Sequence, residues 1–531
     1  MRWLAALSVL AGCSRPPAPP TASKSPEISL YFISELRGTL EPCGCTTDPL
    51  GDLARTAALV RGAPLFDGGS TLYSERPVSP EKKAQEDAKA TLLAETLPKM
   101  GLWAAGVGPY DLAEGAPGIL FPRQAANAEG VPTAPPFVRG VAGVKIGVFG
   151  VVDPALVPGS DPAAAAGAAI KDLRARGADV VIALAHMTRA AAKRLAQAAP
   201  GADFVLVGAG LDDVGSDVAE AVGGSYLVLP ANRGQAVVRV DLHYGGGPLI
   251  DAVGPARAAA DMKKLDDRIA AIRADLARWE KDPNADAAFV QQNRDEAARL
   301  AAERDALRAS PLRAPASGSW FTLTRVPIKK ALPCDAGVLA AKRRYDAQVA
   351  ELNRRASAAE AAPPVAPGKA GYVGGEECVY CHQPAVTFWK GTKHAGAWRT
   401  LEAGHKQWNR DCVGCHSTGW LEPGGAVFAN VDKLKDVQCE VCHGPASLHV
   451  DADGKRTDTL VRKPPASFCA GKCHTPEHSD TFQYEAYLRD VVGPGHGAKL
   501  RGALGAGATG AELRGAALAK AGLGVGAGCE K

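Results

Sequence analysis

Cysteine and histidine recur in one tight pattern late in this chain. Cys378-Val-Tyr-Cys381-His382, Cys412-Val-Gly-Cys415-His416 and Cys439-Glu-Val-Cys442-His443 are Cys-x-x-Cys-His runs. Cys469-Ala-Gly-Lys-Cys473-His474 is a fourth, with one extra residue between its thiols. Two thiols at the strict spacing can add across the two vinyl groups of one haem, and the following His can reach the iron as an axial ligand. The reading is therefore four haems c, one per run. Zinc also uses Cys-x-x-Cys pairs with nearby His. Zinc sites, however, do not need His directly after the second Cys in every repeat.

Nine of the 11 His lie between His382 and His496. Apart from the four run histidines, this leaves His394, His405, His449, His478 and His496 as candidate distal ligands to iron. The four methionines, Met1, Met100, Met187 and Met262, all lie outside this region. Methionine ligation from within it is thus excluded, and bis-histidine or open iron remains, at lower potential than methionine ligation gives. A stretch this short cannot build an ordinary apolar core around four porphyrins. Trp389, Trp398, Trp408 and Trp420 are expected to pack against haem faces.

These residues resemble the four-haem cytochrome family of the c-554 type. The match lies in Phe388-Trp389 with His394-Ala395, in Cys415-His416-Ser417-Thr418-Gly419-Trp420, and in Cys439-Glu440-Val441-Cys442-His443-Gly444-Pro445 with His449. It covers roughly residues 371–497. The resemblance implies His394 and His449 as distal ligands, with His496 third. One iron is then five-coordinate or served by His405 or His478. In such families an open iron can react with small nitrogen oxyanions or hydroxylamine, although many members only carry electrons.

The preceding chain must position this region. Between residues 27 and 250, apolar runs at Ile28–Ile33, Pro64–Asp67, Leu102–Val107, Val144–Val152, Asp179–Ala185 and Asp203–Gly208 alternate with helical patterns such as Lys82–Met100 and Ala164–Arg176. This predicts an α/β domain with covered sheets. Ser225–Pro230 and Gln235–Tyr244 read as a sheet-edge pair about the turn Ala231–Gly234. Leu265, Ile269, Ile272, Leu276 and Trp279 then form a coiled-coil seam, broken at Asp282-Pro283-Asn284 and resumed by Val290, Ala297, Leu300 and Leu307. An antiparallel helical hairpin is expected. Trp320–Ile328 alternates like a strand that returns to the first domain.

Residues 27–245 resemble the metal-dependent 5'-nucleotidase and phosphoesterase family. The landmarks are Phe32–Gly38, Phe66–Ser70, Gly106–Asp111, Ile182–His186 and Leu229–Leu242. That family's two-metal centre, which activates a hydroxide for attack on phosphorus, needs an Asp-x-His, a second Asp, an Asn-His pair and two further His sites. Here those slots read Glu35-Leu36-Arg37, Ser70, Val107-Gly108 and Gly208-Ala209-Gly210-Leu211. Only His186 remains. The expectation is a catalytically inactive scaffold, with His186 and His243 as structural residues. Glu41-Pro42-Cys43-Gly44-Cys45 follows the first strand, where α/β sheets form their crevices. Cys43, Cys45, Cys334 and Cys529 are expected to form disulfides, with redox or soft-metal chemistry at Cys43 and Cys45 as the alternative.

The whole chain then divides into a lipoprotein signal and lipobox (1–13), a tether (14–26), the α/β metallophosphoesterase-like sandwich (27–250) and a helical hairpin with a connecting strand and helix (251–360). A linker (361–370), a mostly α or irregular multihaem cytochrome domain (371–500) and a Gly/Ala-rich tail expected to be poorly ordered (501–531) follow. Leu10-Ala11-Gly12-Cys13 places the lipid on Cys13, so export and anchoring to the outer membrane, facing the periplasm, are expected. The net charge of +4 over 531 residues, without a basic stripe, argues against nucleic acid. The expected function is electron transfer to redox partner proteins, with no catalytic residue assigned. The alternatives are a haem oxidoreductase acting on a small nitrogen compound at a five-coordinate haem, and a working phosphohydrolase.

Overall fold

The computed structural model describes residues 28–521 and Cys529, apart from 43–45, 114–120, 212–214, 282, 284–285 and 477. Cys13, the tether and the Cys43-Gly44-Cys45 run lie outside the described residues.

Among these residues twelve strands build two mixed sheets. They are β1 (Ile28–Ile33), β2 (Leu65–Asp67), β3 (Leu102–Ala105), β4 (Phe137–Val141), β5 (Val144–Val152), β6 (Val180–His186), β7 (Phe204–Val207), β8 (Glu220–Val222), β9 (Ser225–Val228), β10 (Ala236–His243), β11 (Leu249–Asp251) and β12 (Ser319–Pro327). Seven helices accompany them: α1 (Leu53–Val60), α2 (Lys83–Met100), α3 (Pro162–Ala175), α4 (Arg189–Ala198), α5 (Pro255–Trp279), α6 (Ala287–Ala309) and α7 (Ala336–Ser357).

The first sheet runs β11-β12-β10-β1-β2-β3 and the second β4-β5-β6-β7-β9-β8. Their inner faces meet through Phe32, Phe66, Ile146, Ile182, Phe204 and Phe321. Helices α1, α2 and α7 cover the outside of the first sheet. Helices α3 and α4 cover the outside of the second. The central strands are apolar without alternation because both of their faces are covered, and β6 is buried at every position. The expected α/β sandwich is present.

The expected edge pair of Ser225–Pro230 with Gln235–Tyr244 is not. β9 lies between β7 and β8 in the second sheet, whereas β10 lies between β12 and β1 in the first. The turn at Asn232–Gly234 carries the chain from one layer to the other, and this leaves both strands interior. Alternation alone could not separate a hairpin from a layer crossing.

Helices α5 and α6 form the expected hairpin, joined through Ile269, Ile272, Leu276, Val290, Ala297 and Leu300. β12 returns as expected, pairing antiparallel with β10 from Ala236↔Pro327 to His243↔Trp320. Helix α7 then packs on α1 and α2.

From residue 371 the described chain is short helices and turns. The described part of the tail, up to Ala521, is not irregular. Ala498–Ala503 and Gly510–Ala521 are helical. The Arg489 guanidinium donates to the carbonyls of Leu504 at 2.8 Å and Ala508 at 3.1 Å, and Asp490 accepts from the Ala511 amide at 2.8 Å. Alanine favours helix, and these anchors offset the cost of the glycines.

Cys334 and Cys529 form a disulfide across a sequence separation of 195, which pins the end of the chain beside the core under α1 and α7. In the loop-closure account a link of this span stabilises by about 5 kcal/mol. C529S should lower the midpoint of chemical unfolding and free the C-terminus to proteases. An unchanged midpoint in both assays would show that the link is dispensable.

The cytochrome region docks on α2 and α7 through buried polar groups. Lys89 pairs with Asp411 at 2.8 Å, Gln85 donates to Asn409 at 3.0 Å, and Asn353 donates to the Trp408 carbonyl at 2.8 Å. Beside them Lys342 reaches Glu41 at 2.8 Å, while Lys406 bridges Glu41 and Asp346. Burial alone would raise the Glu41 carboxyl, but Lys342 and Lys406 hold it down to about 2. A carboxyl depressed in the fold stabilises above its free value, about 4.3, and loses that contribution as pH falls through the folded value. Docking should therefore weaken between about pH 4.5 and 2, read as protease sensitivity at residues 361–370. E41Q should weaken docking at neutral pH and remove this acid transition; the same transition in E41Q would assign it elsewhere.

Candidate functional site

Each Cys/His run sits on a short helical turn. Val379–Trp389 carries the end of the first run, Arg410–His416 the second, Cys439–His443 the third and Ala466–Lys472 the start of the fourth. Residues three or four apart share one helix face. In the second and third runs the strict spacing therefore presents two thiols to one side, whereas Cys473 lies just past its helix and Cys381 is exposed.

The runs approach one another in a definite order. Cys378 of the first lies within hydrogen-bonding reach of Cys439 of the third. Cys442 of the third feels the charge of Cys469 of the fourth. Cys473 of the fourth bonds Cys415 of the second, and this bond holds the Cys415 thiol down to about 6. The order in space is thus first, third, fourth, second.

The histidines are oriented from their second nitrogen. Nδ1 of His416 meets the Ala397 carbonyl at 2.6 Å, that of His443 the Val461 carbonyl at 2.7 Å, and that of His449 the Arg456 carbonyl at 2.8 Å. His474 Nδ1 contacts Ser479 Oγ at 3.1 Å. A carbonyl only accepts, so in these three Nδ1 donates, and Nε2 is the nitrogen left to meet a metal. Burial pushes His474 down to about 4, helped by the charge of His394, and burial lowers His394 too. Both are neutral imidazoles at pH 7.

Two pairs of rings face each other across a gap. His382 and His449 have centroids 6.2 Å apart with planes 23° from parallel. His394 and His474 are 6.3 Å apart at 41°. Direct stacking brings rings much closer, as His243 on Trp320 shows at 3.8 Å. Metal–imidazole bonds of about 2 Å on each side, plus the half-widths of the rings, fill such a gap. His496 lies near enough to His443 to sense its charge. For His416 no second ring is paired among the described residues. His478 lies near Cys415, whereas His405 is exposed, in a left-handed conformation, and does not line the cavity between the runs.

That cavity has a volume of about 3240 Å³, several times the roughly 300–1,000 Å³ of a common small-ligand site. The cysteines and histidines of the runs line it, except Cys381, which is exposed, and His394, His449 and His496 join them. Cysteine pairs, imidazoles anchored through Nδ1 and one large continuous cavity fit covalently held haem.

Trp398, Trp408 and Trp420 depart from expectation. Instead of lining the cavity, they pack with Val413, Phe428 and Leu434 in a small apolar core, with Trp408 and Trp420 5.0 and 4.9 Å from the Phe428 ring. Trp389 does line the cavity. Sequence reading also assigned no role to Glu440, a spacer inside the third run. Its buried carboxylate accepts from the amides of Val373, Gly374 and Ala446 at 2.7–3.2 Å. Only its acidic type in a thiol-spacing position could have flagged it.

In the α/β sandwich the residues of the replaced metal slots do come together. His186, at the end of β6, contacts the Gly68 carbonyl through Nδ1 at 2.8 Å and Ser70 Oγ through Nε2 at 3.3 Å. Burial lowers its pKa. A side chain on Gly108 would strike Ser70 Oγ and His186 Cε1 at 2.1 and 2.5 Å. Glu35 accepts from Arg37 at 2.8 Å and from the Leu211 amide at 3.2 Å. No group of three or more His, Cys, Asp or Glu among the described residues could hold a metal ion.

Fold and site together define a cytochrome-like Cys/His region attached to a two-sheet α/β sandwich. Residues 377–444 match the family of cytochrome c554 and c-prime. The chain is 33% identical over 90 residues to cytochrome c-554 of Nitrosomonas europaea, covering 14% of this chain and 38% of that relative. The reduced cytochrome c554 of that organism aligns in structure at 23% identity and TM-score 0.20, over 23% of this chain and 84% of that one. Over the N-terminal part, sulfate thiohydrolase SoxB of Thermus thermophilus aligns at 14% identity and TM-score 0.41, covering 62% of this chain and 61% of that one. A 5'-nucleotidase precursor from Thermus thermophilus aligns at 16% and 0.40, covering 71% and 68%.

The ring pairs make a test. H449A and H394A should each convert one low-spin haem to high spin in the electron paramagnetic resonance spectrum, while H405A leaves the spectrum unchanged. A spectral change in H405A equal to the other two would refute the pairing.

Proposed function

We propose that this chain is an electron carrier holding four haems c, in the spatial order of the first, third, fourth and second runs. The observation that carries this reading is the pair of histidine couples at 6.2 and 6.3 Å, set in one cavity with thiols from neighbouring runs in contact. When bound, the haems supply one-electron chemistry. The chain supplies the rest. The run cysteines would hold each ring covalently, the anchored imidazoles would ligate its iron, and the contacts between runs would keep successive rings adjacent.

His416 supports a second reading. With no partner ring among the described residues, its haem is the candidate for an open iron that reacts with a small nitrogen compound. The phosphoesterase-like sandwich acts as a scaffold without hydrolysis. Supporting this, its remaining ligand, His186, is spent on Ser70 and Gly68, and Arg37 occupies a ligand slot. The chain is proposed to be exported and lipid-anchored at Cys13 on the outer membrane, exchanging electrons with redox partner proteins. No described helix is long and apolar enough to cross a membrane.

Intact mass of protein matured in a host with c-type haem assembly should give four haems. The C469A/C473A double variant should give three. A wild-type value of three would remove the fourth run from the wire. Nitric oxide should bind one ferrous haem rapidly in the wild type; binding at none favours pure transfer, and binding at several overturns the bis-histidine assignment. No turnover of a generic phosphate ester with manganese is expected, and turnover abolished by H186A would contradict the scaffold reading.

A further inference from the structure

The cavity between the haem-binding runs does not end at the cytochrome region. It continues into the crevice at the ends of β1, β2 and β3, where Arg37, Thr39, Ser74, Tyr110 and Arg233 share its lining with His416 and His474. In an α/β sheet this end of the strands is where ligands are held.

Arg37 stands where the two-metal arrangement has a histidine ligand. Its guanidinium lies flat enough over Tyr110 to place its central carbon 4.7 Å from the ring centroid. It is near enough to His186 for its charge to oppose protonation there. Of its five N–H donors, the Nη2 group bonds Glu35 at 2.8 Å, while Nε is buried and meets no acceptor among the described residues. Glu35 engages the guanidinium through one oxygen only, its second oxygen accepting from the Leu211 amide at 3.2 Å, so the other N–H donors of the fork have no contact from Glu35.

The position is built rather than incidental. Arg37 has φ 46° and Glu35 φ 49°, a left-handed backbone that costs a non-glycine residue energy and is kept only when its surroundings impose it. The imposition is visible. The amides of Glu35, Arg37 and Gly38 bond the carbonyls of Gly69, Ser70 and Thr71, each at 2.9 Å. Among the other cations lining this end, Lys89, Lys342 and Lys406 are paired with Asp411, Glu41 or Asp346. Glu75 is engaged by Lys82 and Ser79.

We propose that this crevice binds an anion with carboxylate-like or oxyanion oxygens, with Arg37 supplying a fixed positive charge in place of a metal ion. A planar guanidinium on an aromatic floor matches paired oxygens. Such oxygens have two sources here: a small inorganic oxyanion from solution, or a propionate of the nearest haem. In either case the degenerate site is an anion clamp at the edge of the haem cavity.

The test uses the full haem-loaded chain, the redox-inert probe sulfate, and R37N and R37K. Asparagine tolerates the left-handed backbone, so R37N removes the charge without adding strain; unchanged haem content and melting temperature verify the fold. If sulfate binds saturably at constant ionic strength, R37N should weaken it about tenfold or more, with R37K closer to wild type. That result supports a solution anion. If sulfate does not bind but R37N lowers the midpoint potential of one haem while R37K does not, the propionate is the ligand. Neither effect would overturn the proposal. Haem count, which tests the electron-transfer reading, is independent of both.

Discussion

A region of short helices wrapped round a cavity of about 3240 Å³ cannot hold its shape by apolar packing alone. Hydrogen bonds from a few side chains to distant backbone do this instead, and the loop 436–438 is their hub. Asp436 accepts from the Trp398 amide at 2.8 Å, Val437 receives the Trp389 indole at 2.9 Å, and Gln438 binds the Gly375 amide along with the Lys433 and Lys435 carbonyls. Glu440, two residues on, gathers three further amides. Because the first three runs hang from this hub, the spacing of their thiols and imidazoles follows from it. Left unpaired, such buried groups would cost more than their bonds contribute, so the shell is specified tightly or not at all.

The sandwich gives that shell a rigid wall. Asp411, the residue before the first cysteine of the second run, is held by Lys89 and Lys82, and Asn409 and Arg410 bond Gln85 and Asn353. The second run is thus mounted on α2 and α7. The same wall ends in the crevice, which opens onto the cavity between the runs. Behind it Ser70 and His186 contact each other, and Gly108 leaves them room.

Much of this was legible in the chain. The covered sheets followed from unbroken apolar runs such as Val180–Ala185, and the hairpin from its Leu265–Trp279 seam. The partners of β9 and β10 were not, because a tight turn looks the same whether the chain folds back or changes layer. Nor was the order of the tail, since Arg489 and Asp490, which hold it, lie outside its low-complexity sequence. Trp398, Trp408 and Trp420 misled for a related reason: an aromatic rich in contacts packs equally well on a porphyrin or on Phe428.

By itself the sequence determined which groups can do chemistry. Cys-x-x-Cys-His spacing is local, set within one helical turn, and the absence of methionine from the region limits the axial ligands without reference to any fold. Which imidazole faces which, which runs adjoin, and which groups surround the Arg37 guanidinium depend on segments far apart in the chain. His382 meets His449, and Arg37 sits beside His186, only because the packed layers and the polar hub bring them there. Tertiary structure alone decided those pairings, since no local rule fixes the distance between residues that the backbone does not directly connect.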